Sequence, residues 1–159
     1  MSLSNAQIGE VKCEVVINAA RDKVWKALTA DITQWWPADF YAGGEEGSRS
    51  YHLEATPGGR MYESWEGGGG VLWGTVLLVD PEVSLQVQGA DTPSWGGPRV
   101  WFGTWNLEDA EGGTRVTFSE HAMGTVSDST LQGKDKGWVF LWDSLKAHVE
   151  GGAAPTWVD

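Results

Sequence analysis

The sequence predicts an α+β domain: a curved antiparallel sheet of about seven strands closed around one long C-terminal helix. Three observations carry that expectation. Between residues 49 and 121, short runs of alternating apolar and polar residues are bounded by glycine- or proline-rich turns. Helical periodicity is confined to two short stretches after the first strand and to one long stretch near the C-terminus. That last stretch, roughly 129–150, sets Trp138, Leu141, Trp142, Leu145 and Val149 at three- and four-residue steps, an apolar face that a sheet must cover.

Taken in order, residues 1–9 read as a frayed tail and Val11 to Ile17 as the first strand. Residues 19–28 switch to helical period, with Val24, Trp25 and Leu28 on one face. Asp31 is placed to cap a second short helix carrying Ile32, Trp35 and Trp36, which Pro37 ends by disfavouring helix in the residue before it. A glycine- and acid-rich loop runs to Ser48. Six strands follow, at about 49–55, 60–66, 71–79, 83–89, 99–108 and 114–121. The turns between them hold ProGlyGly, a run of four glycines, AspPro and GluGlyGly, and a longer loop spans 91–98. The final helix is expected to open on a capping box of Ser129 and Gln132 and to stop at Gly151 and Gly152. A seven-stranded antiparallel sheet gripping a terminal helix is the helix-grip arrangement.

Composition narrows the partners. With 159 residues, one domain over 1–159 with its core at about 11–150 is expected. Twenty-two acidic against eleven basic residues give a net charge of −11, which repels phosphate backbones and anionic lipid. Neither nucleic acid nor membrane is an expected partner. One cysteine, Cys13, rules out an internal disulfide and suits a reducing compartment. With no signal peptide and no apolar run of ~18 residues, a cytoplasmic location is the default. Eleven tryptophans are the oddity, and point to an aromatic-filled core or an aromatic-lined cavity.

Several segments, in this order and spacing, resemble one known superfamily. They are IleAsnAlaAlaArgAspLysValTrpLysAlaLeuThr at 17–29, TrpTrpPro at 35–37, GlyGlyArgMet at 58–61 and TrpGlyThrValLeuLeuValAspPro at 73–81. GlyGlyThrArgValThrPheSerGlu at 112–120 and GlyTrpValPheLeuTrpAspSerLeu at 137–145 extend the match. Together they resemble the START-like, or SRPBCC, superfamily, in the branch named after the activator of the heat-shock-protein-90 ATPase. The resemblance covers roughly residues 11–150. It implies a deep apolar cavity between sheet and helix. Members include lipid carriers, hormone receptors, polyketide cyclases, oxygenase subunits and co-chaperone domains, so fold alone does not give function.

Strand parity offers the site residues. Met61 and Trp65 share a face with Glu63, and Val116 and Phe118 share one with Glu120. Trp101, Trp105 and Leu107 share a parity with Gly103, whose missing side chain would open space. A carboxylate on an apolar wall is expensive unless paired or hydrogen-bonded, so Glu63 and Glu120 are the sharpest chemical candidates, as ligand anchors or as acid/base groups. The ligand-lining set expected is Trp36, Met61, Glu63, Trp65, Trp101, Trp105, Phe118, Glu120, Trp138 and Trp142, with Glu63 as the polar anchor. Whether the tryptophans line a cavity or fill it stays open, while Trp95 and Trp157 are set outside the core. His52, His121 and His148 lack metal-ligand spacing, and no phosphate-binding loop or serine elbow occurs. No cofactor or metal is expected.

The expected function is therefore binding of a small, largely apolar molecule, aromatic or lipid-like, between sheet and helix. The alternatives are a cyclase- or dehydratase-like enzyme using a cavity glutamate, or a co-chaperone-like interaction domain. Against the last, the chain is expected to be one bare domain lacking the extra binding domain of such co-chaperones.

Overall fold

The computed structural model describes residues 5–43 and 49–158. Its strands are β1 (Gln7–Ile17), β2 (Arg49–Leu53), β3 (Arg60–Trp65), β4 (Gly70–Asp80), β5 (Ser84–Asp91), β6 (Arg99–Ala110) and β7 (Gly113–Gly124). Helices α1 (Arg21–Leu28) and α2 (Ile32–Trp35) follow β1, and α3 (Asp128–Glu150) follows β7. All seven strands form one antiparallel sheet in the order β1-β7-β6-β5-β4-β3-β2. Strands β2 to β7 are thus a run of hairpins, and β1 returns to the far edge beside β7. This is the α+β helix-grip arrangement.

The differences from the sequence reading lie at element ends. β1 begins at Gln7, not Val11, because its polar start pairs in register with β7, from Gln7 opposite Gly124 to Glu10 opposite His121. Backbone pairing needs no apolar alternation, and Ile8 stays exposed. Ser127 rather than Ser129 caps α3: its Oγ accepts the Thr130 N–H at 3.2 Å, and Asp128 places a carboxylate in the first turn. Asp31 stands at the start of α2, but its side chain pairs with Lys26 at 2.6 Å instead of capping. Residues 44–48, inside the expected glycine- and acid-rich loop, lie outside the described residues, as do 1–4 of the expected tail. Among the described residues, no helix is long and apolar enough to cross a membrane.

The helix stop holds as read. Gly151 adopts φ 73°, a conformation glycine reaches without strain, and the Gly152 N–H bonds the Ala147 carbonyl at 2.8 Å.

The concave face of the sheet meets α3. Ile17, Val87, Leu107, Val116 and Phe118 from the strands pack with Leu141, Trp142 and Leu145, all buried. Removing the Trp142 side chain would cost about 3–5 kcal/mol, the usual range for a large buried aromatic. α1 adds Val24, Ala27 and Leu28 at one end of this core, and α2 adds Ile32 and Trp35, whose Nε1 donates to the Ala27 carbonyl at 2.7 Å.

Candidate functional site

Half of the space under α3 is solid. Trp105, Phe118, Trp138 and Trp142 form one aromatic cluster, with ring centroids 3.9–5.9 Å apart. Gly103 does not open room there, contrary to the parity reading. A Cβ at Gly103 would stand 3.0 Å from the Trp105 ring and 3.1 Å from Phe118, so those rings already occupy its vacancy. Trp142 Nε1 donates to Cys13 Sγ at 2.9 Å, and burial pushes the Cys13 thiol up to about 11, leaving it neutral at ordinary pH.

The other half is open. A cavity of about 500 Å³ lies between the β3–β6 side of the sheet and the first half of α3. Trp36, Tyr51, Met61, Trp73 and Trp101 wall it from below, Trp138 and Leu141 from the helix, and Trp95 from the loop after β5. Trp36 and Tyr51 stack at 3.8 Å, and Trp73 meets Trp95 at 5.3 Å. Gly133 and Gly137, one turn apart on α3, leave bare helix backbone at the wall. A Cβ at Gly133 would meet nothing within 4 Å, and one at Gly137 only Phe40 at 3.4 Å. Glycine inside a helix costs about 1 kcal/mol relative to alanine, and crowding does not require it here.

Charge gathers at the mouth. Lys134 Nζ lies 2.6 Å from Glu120 Oε1 and 3.8 Å from Asp91 Oδ2, and Arg99 pairs with Asp91 in turn. Trp138 Nε1 donates to Glu120 Oε2 at 3.1 Å. Asp91 and Arg99 face each other across β5 and β6, which fixes their pairing before any side chain moves. All four charged residues border the cavity.

Glu63 is placed differently. It is inward, as parity predicts, with 2% exposure, yet it stands behind the cavity wall. Both oxygens are held by N–H groups: Ala42 at 3.0 and 3.1 Å, Gly43 at 3.5 Å, and the indoles of Trp65 and Trp73 at 2.9 Å each. Among the described residues it has no ion pair. Its charge is felt next door, where burial first and Glu63 second push the Tyr51 phenol well above its usual value.

Of the ten residues expected from sequence, the structure brings Trp36, Met61, Trp101, Glu120 and Trp138 to the cavity wall. It puts Glu63 and Trp65 in the carboxylate cage beside it, and Trp105, Phe118 and Trp142 in the filled half. Sequence reasoning missed Lys134, Asp91, Arg99, Trp73 and Trp95. Lys134 had a legible signal, since it lies four residues before Trp138 and seven before Leu141 on the same helix stripe. Among the described residues, no group of three or more His, Cys, Asp or Glu is placed to hold a metal ion.

A curved seven-stranded antiparallel sheet closed on a long C-terminal helix is the fold of the START-like, SRPBCC class. More narrowly, the chain belongs to the family described as Activator of Hsp90 ATPase homolog 1-like protein, whose model matches residues 18–150. No curated protein matches the sequence. Among solved structures it is similar to an uncharacterized protein from Rhizobium leguminosarum, at TM-score 0.72 and 20% identity over 94% of this chain and 99% of that one. It is also similar to the Aha1 dimer from Colwellia psychrerythraea, at TM-score 0.60 and 22% identity over 91% and 98%. A third likeness is to Ara h 8.0201, at TM-score 0.63 and 14% identity over 92% and 100%. At these identities the likeness is one of fold.

Proposed function

We propose that this protein binds a small, largely apolar aromatic molecule in the cavity between the sheet and α3, without covalent chemistry. The supporting observation is the cavity itself: about 500 Å³ is kept open, within the range of small-molecule sites, in a protein with enough tryptophan to fill it. Binding would come from burial against Trp36, Trp73, Trp101 and Trp138, and the polar end of the ligand would meet the charged mouth rather than Glu63. Acid/base work by Glu63 is disfavoured, because its oxygens are occupied by N–H donors and it does not border the cavity. A net charge of −11 argues for a small molecule rather than nucleic acid or an anionic membrane as the partner. A cytoplasmic setting suits a chain whose lone cysteine is a neutral, half-buried thiol.

The test is a titration with the neutral fluorescent probe N-phenyl-1-naphthylamine. Saturable enhancement at one probe per chain is expected, and Gly137→Leu, whose side chain would press on Phe40 at the cavity wall, should abolish it. Non-saturable binding, or full binding by a folded Gly137→Leu variant, would count against the reading.

A further inference from the structure

Resting on that reading, we infer that the cavity selects neutral aromatic molecules carrying a hydrogen-bond acceptor such as a carbonyl, which Lys134 grips, and that it rejects aromatic carboxylates. The acceptor end is set by Lys134. An ammonium carries three N–H donors, and within the described residues only Glu120 lies at hydrogen-bond distance, at 2.6 Å, with Asp91 farther off at 3.8 Å. Donor capacity therefore remains on a group that borders the cavity.

Neutrality follows from the same cluster. Asp91 and Glu120 balance Arg99 and Lys134, so the mouth offers no net positive charge. A ligand carboxylate reaching Lys134 would come close to two carboxylates in a largely buried setting, where like charges repel strongly. A carbonyl accepts the same hydrogen bond without that repulsion. Flatness comes from α3: Gly133, next to Lys134, carries no side chain and a Cβ there would meet nothing within 4 Å, so a planar ring can lie against the helix with its acceptor at the lysine.

Quenching of the cavity tryptophans reads this directly with three probes of one ring system: naphthalene, 2-acetylnaphthalene and 2-naphthoate. The acetyl compound should bind about tenfold more tightly than naphthalene, the usual worth of a hydrogen bond to a charged donor, and naphthoate should bind weakest. Lys134→Met should erase the acetyl advantage. Because that variant strands Glu120 without its ammonium, the double variant Glu120→Gln/Lys134→Met is measured beside it, and should bind both neutral probes equally. Equal binding of naphthalene and 2-acetylnaphthalene by the unaltered protein overturns this inference and leaves the cavity reading standing, as does naphthoate binding tightest. Retention of the acetyl advantage by the folded double variant overturns it too. Failure of both neutral probes to bind removes the cavity reading, and this inference with it.

Discussion

Glu63 and Glu120 are equally buried at 2% exposure, stand on one concave face with three strands between them, and are held in opposite ways. Glu63 is caged by neutral dipoles, two indoles and two backbone N–H groups, on β3 behind the cavity wall. Glu120 is paired with the charge of a lysine side chain at the cavity itself. The difference separates a carboxylate that ties segments together from one that borders the cavity. Neutral N–H donors fixed in backbone and packed rings cannot leave, so Glu63 ties the 41–43 segment and β4 to β3. A lysine side chain keeps more rotamer freedom than a backbone N–H or a packed indole, so the Glu120 pair is the one of the two that can rearrange.

Breaking the cage should have the largest effect. Glu63→Leu leaves four N–H groups without their acceptor and should lower unfolding free energy by about 4 kcal/mol or more in urea titrations. A loss under ~1 kcal/mol would mean that the cage is incidental. At the other end, Lys134→Met strands a buried carboxylate and should lower stability by about 3 kcal/mol. The double variant Glu120→Gln/Lys134→Met removes both charges and should recover to within about 1 kcal/mol of the unaltered protein, since a buried pair often contributes little net stability. If the double variant is as unstable as the single, the pair is structural and the contrast between the two glutamates collapses.

The smallest effect is electrostatic. Burial first, and then Glu63's negative charge, hold the Tyr51 phenol well above 10, so folding favours its neutral form. Its share of stability is complete below about pH 10 and is lost as pH climbs from there through the folded value. Tyr51→Phe should flatten that alkaline loss in pH-dependent unfolding. Glu63→Gln should lower the pH at which Tyr41, likewise raised by burial and Glu63, ionises in ultraviolet titration, whereas Glu120→Gln should leave it unmoved.

Strand parity made both glutamates legible as inward residues, because the two-residue period leaves each only one of two faces. It could not tell cage from cavity. That distinction depends on Ala42 and Gly43 folding back over β3, and on the Trp73 indole reaching across from β4, neither of which has a local sequence signature. The order of strands and the long helix were legible from turns and periodicity, but the vacancy at Gly103 was misjudged because the Trp105 rotamer is a packing outcome. Lys134 was overlooked for a simpler reason: a charge on an apolar helix stripe reads as the end of the stripe, and here it pairs with Glu120 at the cavity wall.

The pairing of β1 with β7 has a consequence for how the molecule comes into being. The ladder from Gln7 opposite Gly124 to Ile17 opposite Thr114 joins segments about a hundred residues apart, a loop closure that slows folding. During synthesis the first strand waits, its edge unpaired, until the last has been made, and α3 comes later still. No partly made chain therefore has the sheet closed on α3, and the space between them forms in one late step. Any molecule that bound between sheet and helix would act on folding by retaining the completed state rather than by templating it.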